Sequence, residues 1–197
     1  MSASQRRIAR DDIMSLAEYE KKRADFKKAL IAVKKNRRVE VGPFATFYFE
    51  NYETMWLQVM EMLRIEKGGE EQIAGELEAY NPLIPQGREL IATLMLEIED
   101  AARRDKVLLT LGGIEEAVFL DVGSQRIKAS PTEYDDRTTP DGKTSSVHWL
   151  RFSLVPEQIA AFRRADTKVV LGVDHANYGH MAVMSADVRA ALAGDFA

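Results

Sequence analysis

The stretch from Phe44 to Pro85 decides the fold, and it reads FATFYFENYETMWLQVMEMLRIE, then KGG, then EEQIAGELEAYNPLIP. Its aromatic start predicts a strand, because aromatic side chains are enriched in strands. The methionine-rich part predicts a helix over Glu53 to Lys67, since it lacks Gly and Pro and consists largely of good helix formers. The stretch therefore predicts a strand followed by a helix.

The helix over 53–67 has an apolar face and a polar edge. At about 100° per residue, Thr54, Gln58 and Glu61 line up opposite the apolar arc. Glu50 extends this polar row if the helix begins early. One interpretation is a carboxylate and amide row for a metal, a proton or a cationic partner. The other is an ordinary amphipathic helix whose polar edge meets water.

Glycine and proline divide the remainder of the stretch. We expect Gly68 and Gly69 to end the first helix, because glycine adopts the left-handed C-cap conformation at little cost. A second, shorter helix then covers 70–80. It ends at Asn81-Pro82, since the residue before proline disfavours the helical region. The remaining pattern is of strands at 90–99, 117–122, 125–129, 146–154 and 167–173, with short helices between them.

The whole chain fits one α+β domain: N-terminal helices pack on a mainly antiparallel β-sheet, with short helices inserted and a C-terminal helix. Residues 1–14 are expected to form a flexible basic arm. Residues 15–197 form the single domain, and 130–145 form a long exposed loop. The capping pattern of Ser15 and Glu18 predicts a long helix from about Leu16 to Lys35.

Composition excludes several function classes. The 197 residues contain no cysteine, so disulfides, thiol catalysis and an iron–sulfur cluster ligated by this chain are all excluded. The net charge of −4 gives no general attraction to nucleic acid or anionic membranes. No apolar run reaches the roughly 20 residues that span a bilayer. We therefore expect a cytoplasmic protein with no membrane and no nucleic-acid partner.

Three histidines supply the candidate chemistry, and two of them lie in V-D-H-A-N-Y-G-H directly after a predicted strand. His175 and His180, with His148 on a neighbouring strand, could bind Zn or Fe(II) together with Glu50 or Glu61. The alternative is a hydrogen-bonded core histidine and a turn. No H-E-x-x-H, G-x-S-x-G or G-x-G-x-x-G pattern supports a zinc protease, a serine hydrolase or a dinucleotide site.

Five segments resemble a bacterial family, the domain of unknown function 3501: R-R-V-E-V-G-P (37–43), F-E-N-Y-E-T (49–54), Q-V-M-E-M-L-R-I-E (58–66), E-L-E-A-Y-N-P-L-I-P (76–85) and D-H-A-N-Y (174–178). The likeness extends from about Asp12 to the end. It implies no activity and no catalytic residues. It implies a genomic context of rubrerythrin-like and iron–sulfur oxidoreductase genes, and thus an accessory role in a peroxide or redox pathway.

Three hypotheses follow. The first is an accessory protein that docks a redox partner protein through an adaptable aromatic and methionine surface, with contacts from Phe47, Phe49, Tyr52, Trp56, Gln58 and Arg64. The second is a metal-dependent enzyme that uses the histidines and carboxylates above. The third is binding of RNA or another polyanion by the basic helix from Lys21 to Arg38. The sequence leaves the formation of a homo-oligomer open.

Overall fold

The structure is a computed structural model, and it describes residues 6–132 and 137–197. Its α-helices are α1 (Leu16–Lys35), α2 (Tyr52–Glu66), α3 (Gly69–Tyr80), α4 (Ala101–Leu108), α5 (Pro156–Arg163) and α6 (Ala186–Ala193). Its strands are β1 (Arg38–Val41), β2 (Ala45–Phe49), β3 (Glu89–Leu96), β4 (Val118–Val122), β5 (Gln125–Lys128), β6 (Ser130–Pro131), β7 (Val147–Ser153), β8 (Val169–His175) and β9 (Tyr178–Val183).

The α+β prediction is confirmed, and the strands divide between two antiparallel sheets. One sheet has the order β1-β2-β3-β7-β6 and the other the order β5-β4-β8-β9. Alternate side chains of the first sheet, including Phe47, Leu94 and Leu150, are completely buried and share one apolar cluster with Leu120 and Leu171 of the second sheet. The two sheets therefore enclose the main core.

A second core lies on the opposite face of the five-stranded sheet. It is built mainly from the first three helices, and it contains Tyr19, Trp56, Met60, Ile73 and the sheet residue Ile91. Period-2 alternation along β3 explains how one strand serves both cores, because successive side chains point to opposite faces. The helix α2 is mostly buried between α1, α3 and this sheet.

Local features of the sequence set the two ends of α2. Asn51 is the N-cap: its side chain accepts from the Thr54 amide at 3.0 Å, and the Thr54 hydroxyl accepts from the Asn51 amide at 2.9 Å. At the C-terminal end, Lys67 rather than glycine takes the left-handed conformation, with φ 55°. Gly69, with φ 73°, is the first residue of α3. The glycine break is real, but the cap lies one residue earlier than predicted.

The segment predicted as a flexible arm over residues 1–14 packs on the fold in the part that the structure describes. Ile8 and Ile13 are 1% and 8% exposed, respectively, and belong to the helical core. Arg6 donates to the carbonyl oxygens of Pro85 and Asp195 at 3.0 and 2.9 Å. Burial of these two isoleucines holds the segment against the helical core. The prediction of an arm was based on the charged residues of the region and did not take this burial into account. Residues 1–5 lie outside the described residues.

The predicted exposed loop over 130–145 is partly tied to the sheet. Its start forms β6, which pairs with β7. Thr138 and Thr144 form an antiparallel bridge, and Thr144 is only 2% exposed. Residues 133–136 of this loop lie outside the described residues. In the two described ranges, no helix has the length and apolar character needed to cross a membrane.

Candidate functional site

His148 is a core residue of β7. It is 1% exposed, and its Nε2 lies 2.9 Å from the Ser145 carbonyl oxygen and 3.3 Å from the Thr144 hydroxyl. Because a carbonyl only accepts, the Nε2–H donates to it. Nδ1 faces Glu115 Oε2 at 3.7 Å, and neither of these two atoms has a hydrogen-bond partner among the described residues. Burial lowers the pKa of His148 below its ordinary 6.5, against the opposing effect of the Glu115 charge.

His175 and His180 lie on two strands of a hairpin, whereas the sequence predicted one loop after a strand. His175 closes β8: its Nε2 contacts the Gly112 carbonyl oxygen at 3.2 Å, and its Nδ1 accepts from the Asn177 amide at 3.2 Å. His180 is exposed on β9 and pairs in register with Val173. Its ring meets the Tyr178 ring edge-on at 4.6 Å. Both nitrogens of His175 are thus engaged within the fold.

Glu61 joins α2 to α1 and does not face the sheet. It accepts from the Tyr19 hydroxyl at 2.5 Å and from the Arg23 guanidinium at 2.7 and 2.8 Å. The hydrogen bonds from Arg23 and, secondarily, from Tyr19 lower the pKa of Glu61 to about 2. Tyr19 is fully buried, and burial with the Glu61 contact raises its pKa. This is a structural ion pair between two helices.

The five residues predicted as metal ligands do not form one site. In the described part of the chain, no three His, Asp or Glu side chains are placed to hold a metal ion. His148 lies beside Glu115, Glu61 is held by α1, and His175 and His180 lie on a hairpin of the other sheet. The histidines are therefore separated from the polar edge of α2 that the sequence suggested as their complement.

The predicted docking residues are mostly core residues, so that prediction requires correction. Phe47, Phe49, Tyr52 and Trp56 are 0%, 1%, 3% and 3% exposed, respectively. Each belongs to one of the two apolar clusters. A methionine and aromatic surface cannot form there, because α1 and the second sheet cover it. Gln58 is exposed, and Arg64 is half-buried and pairs with Glu20 at 2.5 Å.

A groove of about 410 Å³ opens on the helix-covered face of the five-stranded sheet. Its floor consists of alternate residues from three neighbouring strands, which the pleat places on one face. The register sets Tyr48 opposite Thr93 and Thr93 opposite Trp149. The groove is lined by Lys34, Tyr48, Glu50, Met55, Gln58, Tyr80, Thr93, Met95, Val147 and Trp149.

Glu50 is the acidic residue of this groove, and hydrogen bonds hold both its main chain and its side chain. Its amide donates to the Ile91 carbonyl at 2.8 Å, which extends the pairing of β2 with β3. Arg37 donates to the Glu50 carbonyl oxygen at 2.9 Å. One carboxylate oxygen then accepts from the Thr93 hydroxyl at 2.6 Å. Glu50 is only 7% exposed, so this neutral hydroxyl is the donor of a nearly buried carboxylate.

Aromatic and methionine side chains surround that carboxylate. The Tyr48 hydroxyl donates to Glu97 at 2.8 Å, which fixes the ring, and burial raises the pKa of Tyr48. Trp149 is half-buried, and the Arg137 guanidinium lies 4.3 Å from the centre of its ring. Such cation–π contacts stabilise an indole ring in one orientation. The result is an apolar-walled groove with one acidic group at its floor.

The sequence comparisons identify the family. The chain matches the family described as protein of unknown function (DUF3501) over residues 7–196. The chain belongs to this family. The fold is also similar to a crystal structure of a novel protein of unknown function from Burkholderia pseudomallei K96243, at 38% identity and a TM-score of 0.87. That match covers 96% of this chain and 99% of the other. No curated protein matches the chain.

The groove of this family member contains residues that sequence reasoning missed. Glu50 was a candidate, but Thr93, Tyr48 and Trp149 were assigned only to strands. Alternation places each side chain on one face of its own strand. Only the pairing register, which is a long-range property, brings them together on adjacent strands. Lys34 lies on α1 and Tyr80 on α3, and no local pattern in the sequence predicted how these helices pack.

A larger groove beside the N-terminal segment, about 910 Å³, is lined by several arginines. Three of its four arginines are already engaged: Arg6 binds two carbonyl oxygens, Arg10 pairs with Glu70, and Arg151 contacts Glu89 at 3.4 Å. Their guanidinium groups are thus engaged in contacts within the protein. The smaller groove at Glu50 is the better candidate site, because its carboxylate faces a cavity with one neutral donor.

Proposed function

We propose that the protein is a binding protein for a small organic cation, which enters the groove at Glu50 through an ammonium or similar nitrogen. The observation that carries this proposal is the Glu50 carboxylate, 7% exposed and hydrogen-bonded at one oxygen by the Thr93 hydroxyl. Buried carboxylates are normally paired with a cation or with several donors. An ammonium group would supply both charge and donors.

The groove walls favour a ligand with an apolar body. Met55, Met95 and Val147 offer aliphatic contact, and Tyr80 and Trp149 offer aromatic contact. Small-molecule sites commonly combine apolar walls with few polar groups that fix orientation. Aromatic faces also attract cations, and this attraction adds to the electrostatic attraction between the cation and the carboxylate. The volume of about 410 Å³ suits a compact ligand of one ring or a similar chain.

The family resemblance implies a place for this binding role. An accessory protein of a peroxide or redox pathway would carry no iron–sulfur cluster of its own, and its ligand would come from that pathway. This role, a redox partner protein, a metal-dependent activity and polyanion binding by α1 all stay predictions from the sequence. The groove itself supports a binding role for a small molecule, because its carboxylate lies in a cavity that α1, α2 and α3 leave open.

The proposal is tested with benzylamine, which is cationic at neutral pH and has a single ring. Its titration is followed by tryptophan fluorescence, because Trp149 lines the groove whereas Trp56 is 3% exposed in the core. Glu50→Gln keeps the acceptor for Thr93 and removes the charge. Loss of a charged hydrogen bond worth about 1.5–3 kcal/mol predicts roughly 10- to 100-fold weaker binding.

Glu99→Gln is the matched control, since Glu99 is exposed and lies outside the groove. It should bind benzylamine like the wild type. The Glu50→Gln variant should also be at least as stable as the wild type, because it removes an incompletely paired buried charge. Equal binding by Glu50→Gln and the wild type, or clear destabilisation of Glu50→Gln, would show that Glu50 has a purely structural role.

A further inference from the structure

The mouth of the groove carries the opposite charge from its floor. Lys34, in the last turn of α1, lines the groove and is exposed. Within the described residues it forms no ion pair or side-chain hydrogen bond. Its own helix and the segment after it cannot supply one, because the positions three and four residues away are Leu30, Ile31, Arg37 and Arg38.

Trp149 forms an aromatic wall of the groove. The Arg137 guanidinium packs over the Trp149 ring at 4.3 Å from its centre. Glu50 is held at the floor through Thr93. The groove thus changes from negative at the floor to positive at the mouth, with methionine and aromatic side chains between them.

We propose that the ligand is a zwitterion, with a cationic nitrogen that binds Glu50, an apolar body along Trp149, and an anionic group that meets Lys34. This inference rests on the proposed function, since it assumes that Glu50 receives the cationic end. A ligand of this kind matches all three zones of the groove. A simple amine would leave Lys34 without a counter-charge.

Three probes of one size separate the two charges: benzylamine carries only the cation, benzoate only the anion, and 4-(aminomethyl)benzoate both at opposite ends of the ring. Exposed ion pairs are weak, so the wild type should bind 4-(aminomethyl)benzoate about three-fold tighter than benzylamine. In Lys34→Met, which keeps an apolar stem, this preference should disappear. Lys35→Met is the matched control, because Lys35 is exposed and does not line the groove.

The outcomes separate the two proposals. If benzylamine binds in a Glu50-dependent way and 4-(aminomethyl)benzoate binds no tighter, the zwitterion inference is wrong while the binding function stands. The same holds if Lys34→Met and Lys35→Met lose the preference equally. If none of the three probes shows binding that depends on Glu50, the binding function itself is wrong. A preference that falls with added salt in the wild type and is absent in Lys34→Met supports the inference.

Discussion

Replacement of Arg37 by Met should be among the most damaging single substitutions in the chain. Arg37 is 5% exposed, and its guanidinium donates to the Phe49 carbonyl at 2.9 Å and to the Glu50 carbonyl at 2.9 Å. It also forms a bidentate pair with Asp195, whose side chain is 9% exposed. Burial raises the pKa of Asp195, and the Arg37 charge opposes that shift. Without Arg37, a buried carboxylate and two carbonyl groups lose their donors.

Removal of one partner from a buried pair costs about 3–5 kcal/mol, a large part of the 5–15 kcal/mol that stabilises a typical domain. At a urea m-value of about 2–3 kcal/mol/M, the unfolding midpoint of Arg37→Met should fall by roughly 1.5 M. Arg38→Met is the control: Arg38 is 45% exposed and pairs with the exposed Glu40, so its loss should cost under about 1 kcal/mol.

The double variant Arg37→Met/Asp195→Leu tests the reason for the loss. Replacement of both charges by apolar groups removes the unpaired carboxylate, so the double variant should regain much of the stability lost in Arg37→Met. Benzylamine binding should weaken in Arg37→Met, because Arg37 holds the Glu50 main chain. The reasoning is refuted if Arg37→Met and Arg38→Met lower the midpoint equally, or if the effects at 37 and 195 simply add.

Four further substitutions test other parts of the structure. Tyr19→Phe should lower the free energy of unfolding by about 2 kcal/mol, because the fully buried hydroxyl donates to the Glu61 carboxylate. The Glu61 pKa of about 2 means that its contribution is complete above about pH 4.5 and is lost as pH falls towards 2, so Glu61→Gln should approach the wild type only in acid. The pKa of His148 is lowered, so this residue stays neutral in the folded protein, and the free energy of unfolding should fall as the pH falls below about 6.5. The fall should be smaller in His148→Gln. Urea midpoints at pH 7 and pH 5.5 measure this difference. Gly42→Ala should cost more than about 1–2 kcal/mol in thermal unfolding, because φ is +74° and a Cβ would lie 2.6 Å from the His180 ring.

Local signals in the sequence predicted most elements and failed where tertiary contacts decide. Asn81-Pro82 and the glycine break predicted the ends of α2 and α3 to within two residues. The sequence predicted a strand at 167–173, which is most of β8, but the segment after it, which contains β9, was read as a loop. Its strand character comes from backbone pairing, such as His175 with Tyr178, which a single strand does not reveal.

The candidate site shows the same division. The sequence predicted the strands that carry Trp149 and Thr93, but the structure buries Trp56 and Phe49, which the sequence predicted as partner contacts. Both faces of the five-stranded sheet are packed against other elements, so these aromatic residues lie in the two cores and do not form an exposed patch. A helical wheel could not show this, because it reports how apolar each face of a helix is and not what covers it.

The position of Glu50 links the groove to both ends of the chain. Behind its main chain, Arg37 pairs with Asp195, and Arg6 donates to the Asp195 carbonyl. The Ala197 amide donates to the Gly87 carbonyl, two residues before β3 begins. A carboxylate in an apolar groove lowers stability, because one hydroxyl donor only partly offsets its loss of hydration, and these contacts from distant segments hold its main chain in place. Because the same contacts hold the chain ends and the groove floor, a cation that binds Glu50 should also slow hydrogen exchange at 195–197. Exchange that slows only in the strands beside Glu50 would mean that the groove and the chain ends are independent.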